Sequence, residues 1–541
     1  MTSGFVEVPP PVNEPVRTYA PGTAERGALA DELAAVAAET VEAPHVIAGV
    51  PQSGETTFEV RAPHDHDLHL ADVHQATTAN VAAAIAATRD AGADWARTPF
   101  EDRAAVFLRA ADLIAGPWRD RLNAATILGQ SKSWQQAEID AACEAIDFLR
   151  FNVAFARDLL ANQPLSVAGA WNRMDYRPLE GFVLAITPFN FTAIALNLPT
   201  APALMGNTVV WKPSEKQALA AHWTMEILMA AGLPPGVINL VHGDGALVSD
   251  VAMASPDFAG LHFTGSAAVL QDLWRRSGER LDTYRSFPRI VGESGGKDFV
   301  VAHPSAAVDP LLVALVRGAF EYQGQKCSAV SRAYVPQSLW PQLRDGLADM
   351  ATALPTGDIA DPTVFLGAVI SQAAFRKHAD GIAGAVDTGA KILTGGGTDD
   401  RLGWFVDPTV LVTEDPRSDS MTRELFGPIL TVYVYDDARW SETLELVDST
   451  SPYALTGGVF AQDRRAIDDA AAALRHAAGN FYVNDKPTGS VVGQQPFGGA
   501  RRSGTNDKAG SVFNLQRWTS PRAMKETFVP PTDWRYPHLD S

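Results

Sequence analysis

Residues 182–191 are Phe182-Val-Leu-Ala-Ile186-Thr-Pro-Phe-Asn190-Phe191, a short apolar run followed by a proline-containing turn. Similar runs alternate with amphipathic helical patterns further along the chain, at Thr208-Val-Val-Trp211, Val237-Ile-Asn-Leu-Val241, Gly260-Leu-His-Phe263 and Phe299-Val-Val-Ala302. Runs of this length are typical of strands buried on both faces, and strands that alternate with helices predict a parallel sheet with crossover helices. The sequence therefore predicts an α/β fold, in which a second strand–helix series runs from about residue 298 to 500.

Length and charge narrow the class of protein. The 541 residues are enough for two or three domains. The net charge of −19 and the absence of Lys/Arg runs argue against binding to a nucleic acid. No window approaches the ~18 apolar residues of a membrane span, and the first residues lack the basic and apolar regions of a signal peptide. We therefore expect a soluble, cytoplasmic protein with no nucleic-acid partner and no membrane span.

The two cysteines of the chain lie in different surroundings. Cys143 lies in an apolar helical pattern, where a thiol is usually a small core side chain. Cys327 follows a Gly-containing polar turn, in Glu321-Tyr-Gln-Gly-Gln-Lys-Cys327-Ser328. There we expect a partly exposed thiol, whose thiolate is favoured by the adjacent Lys326. A lone cysteine is more often structural, so the case for Cys327 as a nucleophile depends on the residues around it.

Five further segments add to the signal from Cys327. They are Ile186-Thr-Pro-Phe-Asn190-Phe191, Val210-Trp-Lys212-Pro-Ser-Glu215, Phe263-Thr-Gly-Ser266, Gly292-Glu293-Ser-Gly-Gly-Lys297 and Arg423-Glu424-Leu-Phe426-Gly-Pro428. Each alone is typical of an ordinary turn or helix start. Together, in this order and with Glu293 and Cys327 34 positions apart, they resemble the aldehyde dehydrogenase superfamily.

This resemblance implies an aldehyde dehydrogenase fold, with NAD as the cofactor and catalysis by Cys327, Glu293 and Asn190. The Cys327 thiolate would attack the aldehyde carbon, giving a thiohemiacetal and then a thioester. The Asn190 side-chain amide and the backbone N–H of Cys327 would stabilise the oxyanion. Glu293 would be the base that activates water for hydrolysis of the thioester. This chemistry requires no metal ion.

The resemblance also assigns six residues to the cofactor: Lys212, Glu215, Gly265, Ser266, Glu424 and Phe426. The first two would contact the adenosine ribose, the next two the pyrophosphate at a helix start, and the last two the nicotinamide ribose and ring. A carboxylate at Glu215 would repel a 2′-phosphate, which favours NAD over NADP. Leu270 stands where many members of the family have a second glycine.

A narrower resemblance is carried by residues 480–508, which include Thr488-Gly489-Ser490 and Phe497. This segment is similar to the L-glutamate γ-semialdehyde dehydrogenases, also called 1-pyrroline-5-carboxylate dehydrogenases, of proline catabolism. It implies oxidation of the semialdehyde to L-glutamate with NAD and water. The substrate residues it implies are Phe191, Ser328, Gly489, Ser490, Phe497 and Glu144. Hydroxyl and backbone N–H donors would bind the α-carboxylate, and the two aromatic rings would enclose the methylene groups.

The family resemblance also implies a division of the chain. It implies an NAD-binding domain over residues 31–162 and 181–296 and a catalytic domain over residues 297–503. Residues 1–30 are rich in Pro and Glu, which predicts an extended N-terminal arm. Residues 163–180 and 504–541 would form an oligomerisation flap and tail, in which a hairpin near residues 163–180 joins the C-terminal tail. Since a flap of this kind pairs with a neighbour's sheet edge, a homo-oligomer is expected. Any proline dehydrogenase partner would be a separate protein.

The sequence leaves two alternative functions open and contains one apparent metal site. The chain could instead act on another ω-semialdehyde, such as succinate semialdehyde, or be a catalytically silent NAD-binding scaffold. Four histidines in a short tract, at His64, His66, His69 and His74, suggest a metal site at first sight. Their neighbours alternate as at the edge of a hairpin, and this interpretation is preferred.

Overall fold

The computed structural model of the protein describes residues 7–539. Residues 7–23 form an arm without helix or strand, and the helix Ala24–Ala37 follows. The prediction of an extended arm to residue 30 is therefore wrong in its last seven positions, because Leu29 and Leu33 bury one face of this helix. The arm is also packed on the body of the protein, since Val8 and Tyr19 are buried.

The first large sheet contains four of the five predicted apolar runs, and the run Phe299-Val-Val-Ala302 lies in the second sheet. The first five strands of the first sheet in spatial order are parallel, and two antiparallel strands extend one edge, which confirms a parallel core with crossover helices. The seven strands lie in the order Arg289–Glu293, Phe258–Thr264, Phe182–Ile186, Thr208–Lys212, Ile238–Leu240, His45–Ile47 and Val50–Gln52.

The second large sheet also has seven strands, and it is parallel except for the edge strand Lys391–Thr394. Along the chain the first sheet ends at Glu293 and the second begins at Asp298, so that the polypeptide passes from one to the other within a glycine-containing turn. The strand order is Lys391–Thr394, Thr409–Thr413, Ile429–Tyr435, Val330–Pro336, Asp298–Ala302, Thr456–Phe460 and Asn480–Val483.

Helices cover both sheets and account for most of residues 78–161. Those that precede or accompany the first sheet are Ala24–Ala37, Thr78–Arg97, Phe100–Ala115, Arg119–Gln130, Trp134–Ala137, the π-helix Glu138–Glu144, Ala145–Ala161, Thr192–Leu204, Ala218–Ala230, Gly245–Ala254 and Ala267–Gly278. Those that follow are Val308–Phe320, Trp340–Thr352, Gln372–Asp387, Asp419–Thr422, Trp440–Thr450, Arg464–Ala473 and Val512–Arg517. Within residues 7–539, none of the helices has the length and apolar character needed to cross a bilayer.

The predicted flap differs in detail from the structure. The strand Ala170–Arg177 does not form a hairpin within residues 163–180 but pairs antiparallel with Ser520–Thr527. The predicted tail also contributes to the core, because residues 504–519 include the helix Val512–Arg517 and the fully buried Trp518. Residues 540–541 of the predicted tail lie outside the described residues.

The histidine-rich tract forms the strand Asp65–His74, which pairs antiparallel with Thr57–Ala62 as predicted. Its histidines have separate partners: the His66 ring packs on Trp404 with centroids 4.2 Å apart, and His74 contacts the Glu42 carboxylate at 3.0 Å. Among the described residues, no three His, Cys, Asp or Glu side chains are grouped as ligands of a metal ion.

Candidate active site

The predicted motifs lie at the carboxyl ends of the parallel strands in the first sheet, which form one edge of that sheet. The strand register sets Glu293 opposite Thr264 and Lys212 opposite Ile186, and Ile186 is also paired with Phe263. The segments that follow these strands therefore begin side by side. Ligands of open α/β sheets bind at the carboxyl ends of the strands, so this edge is the candidate site.

Cys327 lies at this edge after a tightly turned segment. Gly324 has φ +64°, and a Cβ at this position would clash with the backbone carbonyl of Gly427. The turn leaves Cys327 partly exposed, as predicted, in a cavity that is also lined by Glu424 and Phe426. The loop that carries the candidate nucleophile and the loop predicted to hold the nicotinamide ribose are thus in contact.

Lys326 does not favour the thiolate in the predicted way. Its ammonium donates to the Glu321 carboxylate at 3.0 Å, and both side chains are buried. Burial raises the pKa of the Cys327 thiol above its ordinary value, and the charges of Asp298 and Glu293 act in the same direction. The prediction for Lys326 is therefore wrong, because Glu321 takes up its charge.

Asn190 lies in the turn after the strand Phe182–Ile186 and is buried. Its side-chain amide donates to the backbone carbonyl of Gln325 at 3.0 Å. Gln325 is two residues before Cys327, so this bond fixes the amide beside the thiol-bearing turn. An amide has two N–H donors, and this hydrogen bond uses one of them.

Glu293 ends its strand at the same edge. Its carboxylate accepts a hydrogen bond from the backbone N–H of Gly499 at 2.9 Å. Burial raises the pKa of Glu293 well above its ordinary value, whereas the Gly499 N–H and the Lys508 ammonium act against this rise. A carboxyl group whose pKa is raised in this way is a better proton acceptor than a free one.

Glu424 and Phe426 connect the two sheets near the thiol. The Glu424 carboxylate accepts from the backbone N–H of Gly296 at 2.9 Å, and a Cβ at Gly295 would clash with the same carboxylate. Phe426 has a φ of 61°, and its ring meets that of Phe189 edge-on at 5.9 Å. The loop is thus fixed against the turns that follow Glu293 and Ile186.

The candidate ribose site contains a nearly buried ammonium group. Within residues 7–539, the side-chain ammonium of Lys212 has no hydrogen-bond or ion-pair partner, although its backbone carbonyl accepts from Thr187. Burial lowers the pKa of Lys212, and the charges of Glu215 and Asp244 oppose this effect. A Cβ at Gly245 would lie 3.5 Å from Lys212 Nζ. A buried cation without a partner, with a carboxylate nearby, is suited to a ligand that offers hydroxyl groups.

The candidate pyrophosphate site is a helix start. Ser266 is the N-cap of the helix Ala267–Gly278, and its side chain accepts from the backbone N–H of Val269 at 3.3 Å. Leu270 points inward, where it packs so closely on Gly292 that a Cβ on this glycine would overlap it. The helix N-terminus with Gly265 and Ser266 is thus free of the Leu270 side chain.

Phe191 lies in a wall built around a buried ion pair. The Lys132 ammonium is 4.0 Å from the centre of the Phe191 ring and 4.7 Å from that of Tyr322. It also donates to Asp140 at 2.6 Å, and both charged groups are buried. Asp140 accepts in addition from the backbone N–H groups of Thr192 and Ala193, each at 2.9 Å.

Glu144 ends the π-helix Glu138–Glu144, the element that also carries Asp140. Burial raises the pKa of Glu144 to about 8, the Asp140 charge adds to the rise, and the Lys132 charge opposes it. Glu144 therefore belongs to the same cluster of charges as the wall at Phe191.

Ser328 meets the predicted substrate loop directly. Its hydroxyl lies 2.7 Å from the hydroxyl of Thr488, the residue before Gly489, which has φ +87°. Ser490 follows in the same turn. At the far end of the loop, Phe497 is held by two backbone hydrogen bonds to Ala509, of 3.1 and 2.8 Å. The predicted substrate residues of this loop thus connect to the residue next to Cys327.

A comparison with protein families adds to this geometry. The model of the aldehyde dehydrogenase family matches residues 50–524. The chain belongs to the aldehyde dehydrogenase family.

Within the aldehyde dehydrogenase family, the chain is similar to the mitochondrial delta-1-pyrroline-5-carboxylate dehydrogenase of Dictyostelium discoideum, with 48% identity over 537 residues (98% of this chain and 96% of the relative). It is also similar to the crystal structure of the delta-pyrroline-5-carboxylate dehydrogenase of Mycobacterium tuberculosis bound with NAD. The TM-score is 0.97 and the identity 58%, over 100% of both chains. Proline utilization A of Bdellovibrio bacteriovorus, inactivated by N-propargylglycine, gives a TM-score of 0.91 at 29% identity, over 97% of this chain and 54% of that one. The predicted aldehyde dehydrogenase fold is confirmed.

Sequence reasoning from the motifs of the aldehyde dehydrogenase family missed part of the site. Lys132 and Asp140 lie outside every motif, in a region where only helical periodicity was apparent. The sequence motifs assign no role to Thr488, although its hydroxyl lies within hydrogen-bond distance of the Ser328 hydroxyl. The available signal was the pair Lys132 and Asp140 itself, since charged residues within an apolar helical region are paired when they are buried.

Proposed function

We propose that the chain oxidises L-glutamate γ-semialdehyde to L-glutamate with NAD and water, in proline catabolism. The observation that carries this proposal is the connection of Ser328 to the Gly489-Ser490 turn through Thr488. It sets a group of carboxylate-binding donors beside Cys327. Relatives of similar length that are named for the pyrroline-5-carboxylate substrate support the same assignment.

Cys327 is the nucleophile in this proposal. Its sulfur adds to the aldehyde carbon, and the carbonyl oxygen becomes an oxyanion. The second N–H of the Asn190 amide and the backbone N–H of Cys327 donate to this oxygen. Because burial and nearby carboxylates raise the thiol pKa, the fraction of thiolate is small near neutrality and the addition accelerates as pH rises.

NAD, when bound, supplies the acceptor for the hydride that leaves the aldehyde carbon. The described residues fit this cofactor: Lys212 offers an unpaired ammonium near Glu215. Gly265 and Ser266 lie at a helix N-terminus, which is suited to a pyrophosphate. Glu424 and Phe426, at the cavity of Cys327, are placed to hold the nicotinamide ribose and ring.

Glu293 acts in the second half of the reaction. It takes a proton from water, the resulting hydroxide adds to the thioester carbonyl, and the Cys327 thiolate is the leaving group. The raised pKa of Glu293 suits this role, since a stronger base accepts the proton more readily. The hydrogen bond from Gly499 holds the carboxylate in position.

Substrate selection depends on the two ends of the α-amino acid group. The Ser328 hydroxyl and the backbone N–H groups of the Gly489-Ser490 turn bind the α-carboxylate. Glu144, in its ionised form, binds the α-ammonium. The rings of Phe191 and Phe497 enclose the methylene groups between these ends and the aldehyde.

A comparison of aldehydes tests this function. NADH formation is measured by absorbance with L-glutamate γ-semialdehyde, glutarate semialdehyde, succinate semialdehyde and butanal. The proposal expects the highest kcat/KM with the first, because it alone carries both charged α-groups. A preference for succinate semialdehyde would favour the other ω-semialdehyde function, and no NADH with any of the four would favour the silent scaffold.

We further propose that the first sheet with its helices is the NAD-binding domain, that the chain from residue 297 is the catalytic domain, and that the protein is a homo-oligomer. The ribbon of Ala170–Arg177 and Ser520–Thr527 supports the last point, because it is two-stranded and exposed. Trp171, Phe528 and Val529 add exposed apolar surface there. Light scattering should show a dimer or larger assembly that is weakened by Trp171→Asp, and a monomeric wild type would refute this.

We also propose a cytoplasmic enzyme that works with a separate proline dehydrogenase. Both cysteines are unpaired, which suits a reducing compartment, and the chain matches 54% of the longer proline utilization A chain. Cell fractionation tests the location, since the Dictyostelium relative is named as mitochondrial. The partnership is tested by mixing both enzymes with proline. NADH formation faster than free diffusion of the intermediate allows would support it.

A further inference from the structure

The N-terminal arm contacts the helix that carries Glu144. The Asn13 side-chain amide donates to the Asp147 carboxylate at 2.8 Å, and the backbone N–H of Glu14 donates to the same carboxylate at 2.7 Å. Asp147 is three residues after Glu144 in the first turn of the helix Ala145–Ala161. The arm lies before residues 50–524, the part of the chain that matches the aldehyde dehydrogenase family model.

Asn13 reaches the substrate loop at the same time. Its amide also donates to the backbone carbonyl of Val492 at 2.8 Å, and its side-chain carbonyl accepts from Gln494 Nε2 at 3.0 Å. Val492 is two residues after Ser490. One side chain therefore uses both of its ends to join the helix near Glu144 to the loop that carries the Gly489-Ser490 turn.

The loop and the helix also meet through apolar contacts beside Asn13. Val492 and Phe148 are buried in one core cluster. Gly493 has φ +85°, and a Cβ at this position would overlap the Phe151 ring. Close packing thus sets the distance between the loop at Val492 and the helix Ala145–Ala161. Asn13 bridges the two elements beside this contact.

We propose that Asn13 is a positioning residue that fixes the distance between Glu144 and the Gly489-Ser490 turn. This inference rests on the proposed function, in which these groups bind the α-ammonium and the α-carboxylate of one substrate. A fixed distance selects an α-amino acid whose charged groups are on adjacent positions, because both contacts must form together. Residues 7–23 of the arm contact neither the Cys327 thiol nor the Glu293 carboxylate, so their effect falls on substrate binding.

Three variants of the full-length enzyme test the proposal: Asn13→Ala removes both connections, Gln494→Ala removes an exposed contact to the loop alone, and Val12→Ala is the control, since Val12 is 69% exposed. Kinetics are measured with L-glutamate γ-semialdehyde and with butanal, which has no α-groups. For Asn13→Ala we expect KM for the semialdehyde to rise about tenfold with kcat within about twofold. Gln494→Ala should raise it about threefold, and kinetics with butanal should stay unchanged.

The outcomes separate the possible failures. An unchanged KM for the semialdehyde in Gln494→Ala and Asn13→Ala would overturn the proposal, as would an equal rise for butanal. If Asn13→Ala does not fold, as judged by its Tm, the exposed Gln494→Ala variant decides. A wild type without preference for the semialdehyde over butanal would instead refute the proposed function.

Discussion

The ammonium of Lys326 is bound to the carboxylate of Glu321 at 3.0 Å, inside the turn that ends at Cys327. A lysine directly before a cysteine would ordinarily lower the thiol pKa. Here its charge is already neutralised by a buried partner, and the carboxylates around Cys327 determine the electrostatic environment of the thiol.

The rate of alkylation of Cys327 in the free enzyme should therefore follow the ionisation of a thiol whose pKa is unusually high. We expect the rate with iodoacetamide to keep rising with pH beyond neutrality, without a plateau near pH 7. Glu293→Gln should accelerate the reaction at pH values where Glu293 is ionised, because removing its negative charge lowers the thiol pKa. Glu279→Gln, at an exposed site, is the control, and a plateau near neutrality in the wild type would contradict this view.

Glu293→Gln should also separate the two halves of the reaction. Acylation does not use the carboxylate as a base, so a first-turnover burst of NADH equal to the active-site concentration is expected. Steady-state turnover should fall by about 10²-fold or more, because thioester hydrolysis lacks its base. Stopped-flow absorbance measures both phases, and wild-type steady-state turnover would remove Glu293 from this role.

Asn190→Ala should remove one donor to the oxyanion. We expect kcat to fall by about 10²–10³-fold with little change in NAD affinity, since Asn190 is not among the cofactor residues. Isothermal titration with NAD measures the affinity, and Asn162→Ala, at an exposed helix end, is the matched control. A loss of less than about threefold would show that the backbone N–H of Cys327 is sufficient.

The pH dependence of substrate binding should report on Glu144. Its pKa is raised to about 8, so the ionised form that binds an ammonium is lost as pH falls below that value. KM for L-glutamate γ-semialdehyde should therefore rise at lower pH, and this component should be absent in Glu144→Gln. Glutarate semialdehyde, which has no ammonium, is the control substrate; the same pH dependence for both substrates would contradict the role of Glu144.

Lys132→Met should destabilise the protein. It leaves the buried Asp140 carboxylate without its ionic partner, which typically costs about 3–5 kcal/mol of unfolding free energy. Urea denaturation measures the change, and Lys391→Met, on an exposed edge strand, is the control. A loss below about 1 kcal/mol would indicate that the backbone N–H groups of Thr192 and Ala193 are enough to satisfy Asp140.

The sequence could predict that several candidate catalytic and cofactor residues lie close together, because the carboxyl ends of parallel strands lie on the same side of a sheet. Lys212 and Glu293 end two strands and Asn190 follows a third, and a parallel sheet brings such positions together. The family motifs then placed Cys327 opposite them. None of these predictions required knowledge of contacts between distant side chains.

The parts that were missed depend on contacts that no local pattern contains. The strand Ala170–Arg177 pairs with Ser520–Thr527, near the C-terminal end of the described residues. The hairpin prediction was wrong because it assumed a partner close in sequence. The thiolate prediction for Lys326 failed because the partner Glu321 becomes a neighbour only through the kinked turn between them. Lys132 and Asp140 are joined across the start of a π-helix, whose geometry ordinary helical periodicity does not reveal.

Asp140 has a consequence for how this enzyme can diverge. One carboxylate holds the Lys132 ammonium beneath the Phe191 ring and also caps the first N–H groups of the helix that follows Asn190. A substitution of Asp140 would therefore alter both the wall at Phe191 and the start of the helix that follows Asn190. New aldehyde preferences should therefore arise more readily from substitutions in residues 488–497, because these residues do not bind Asp140.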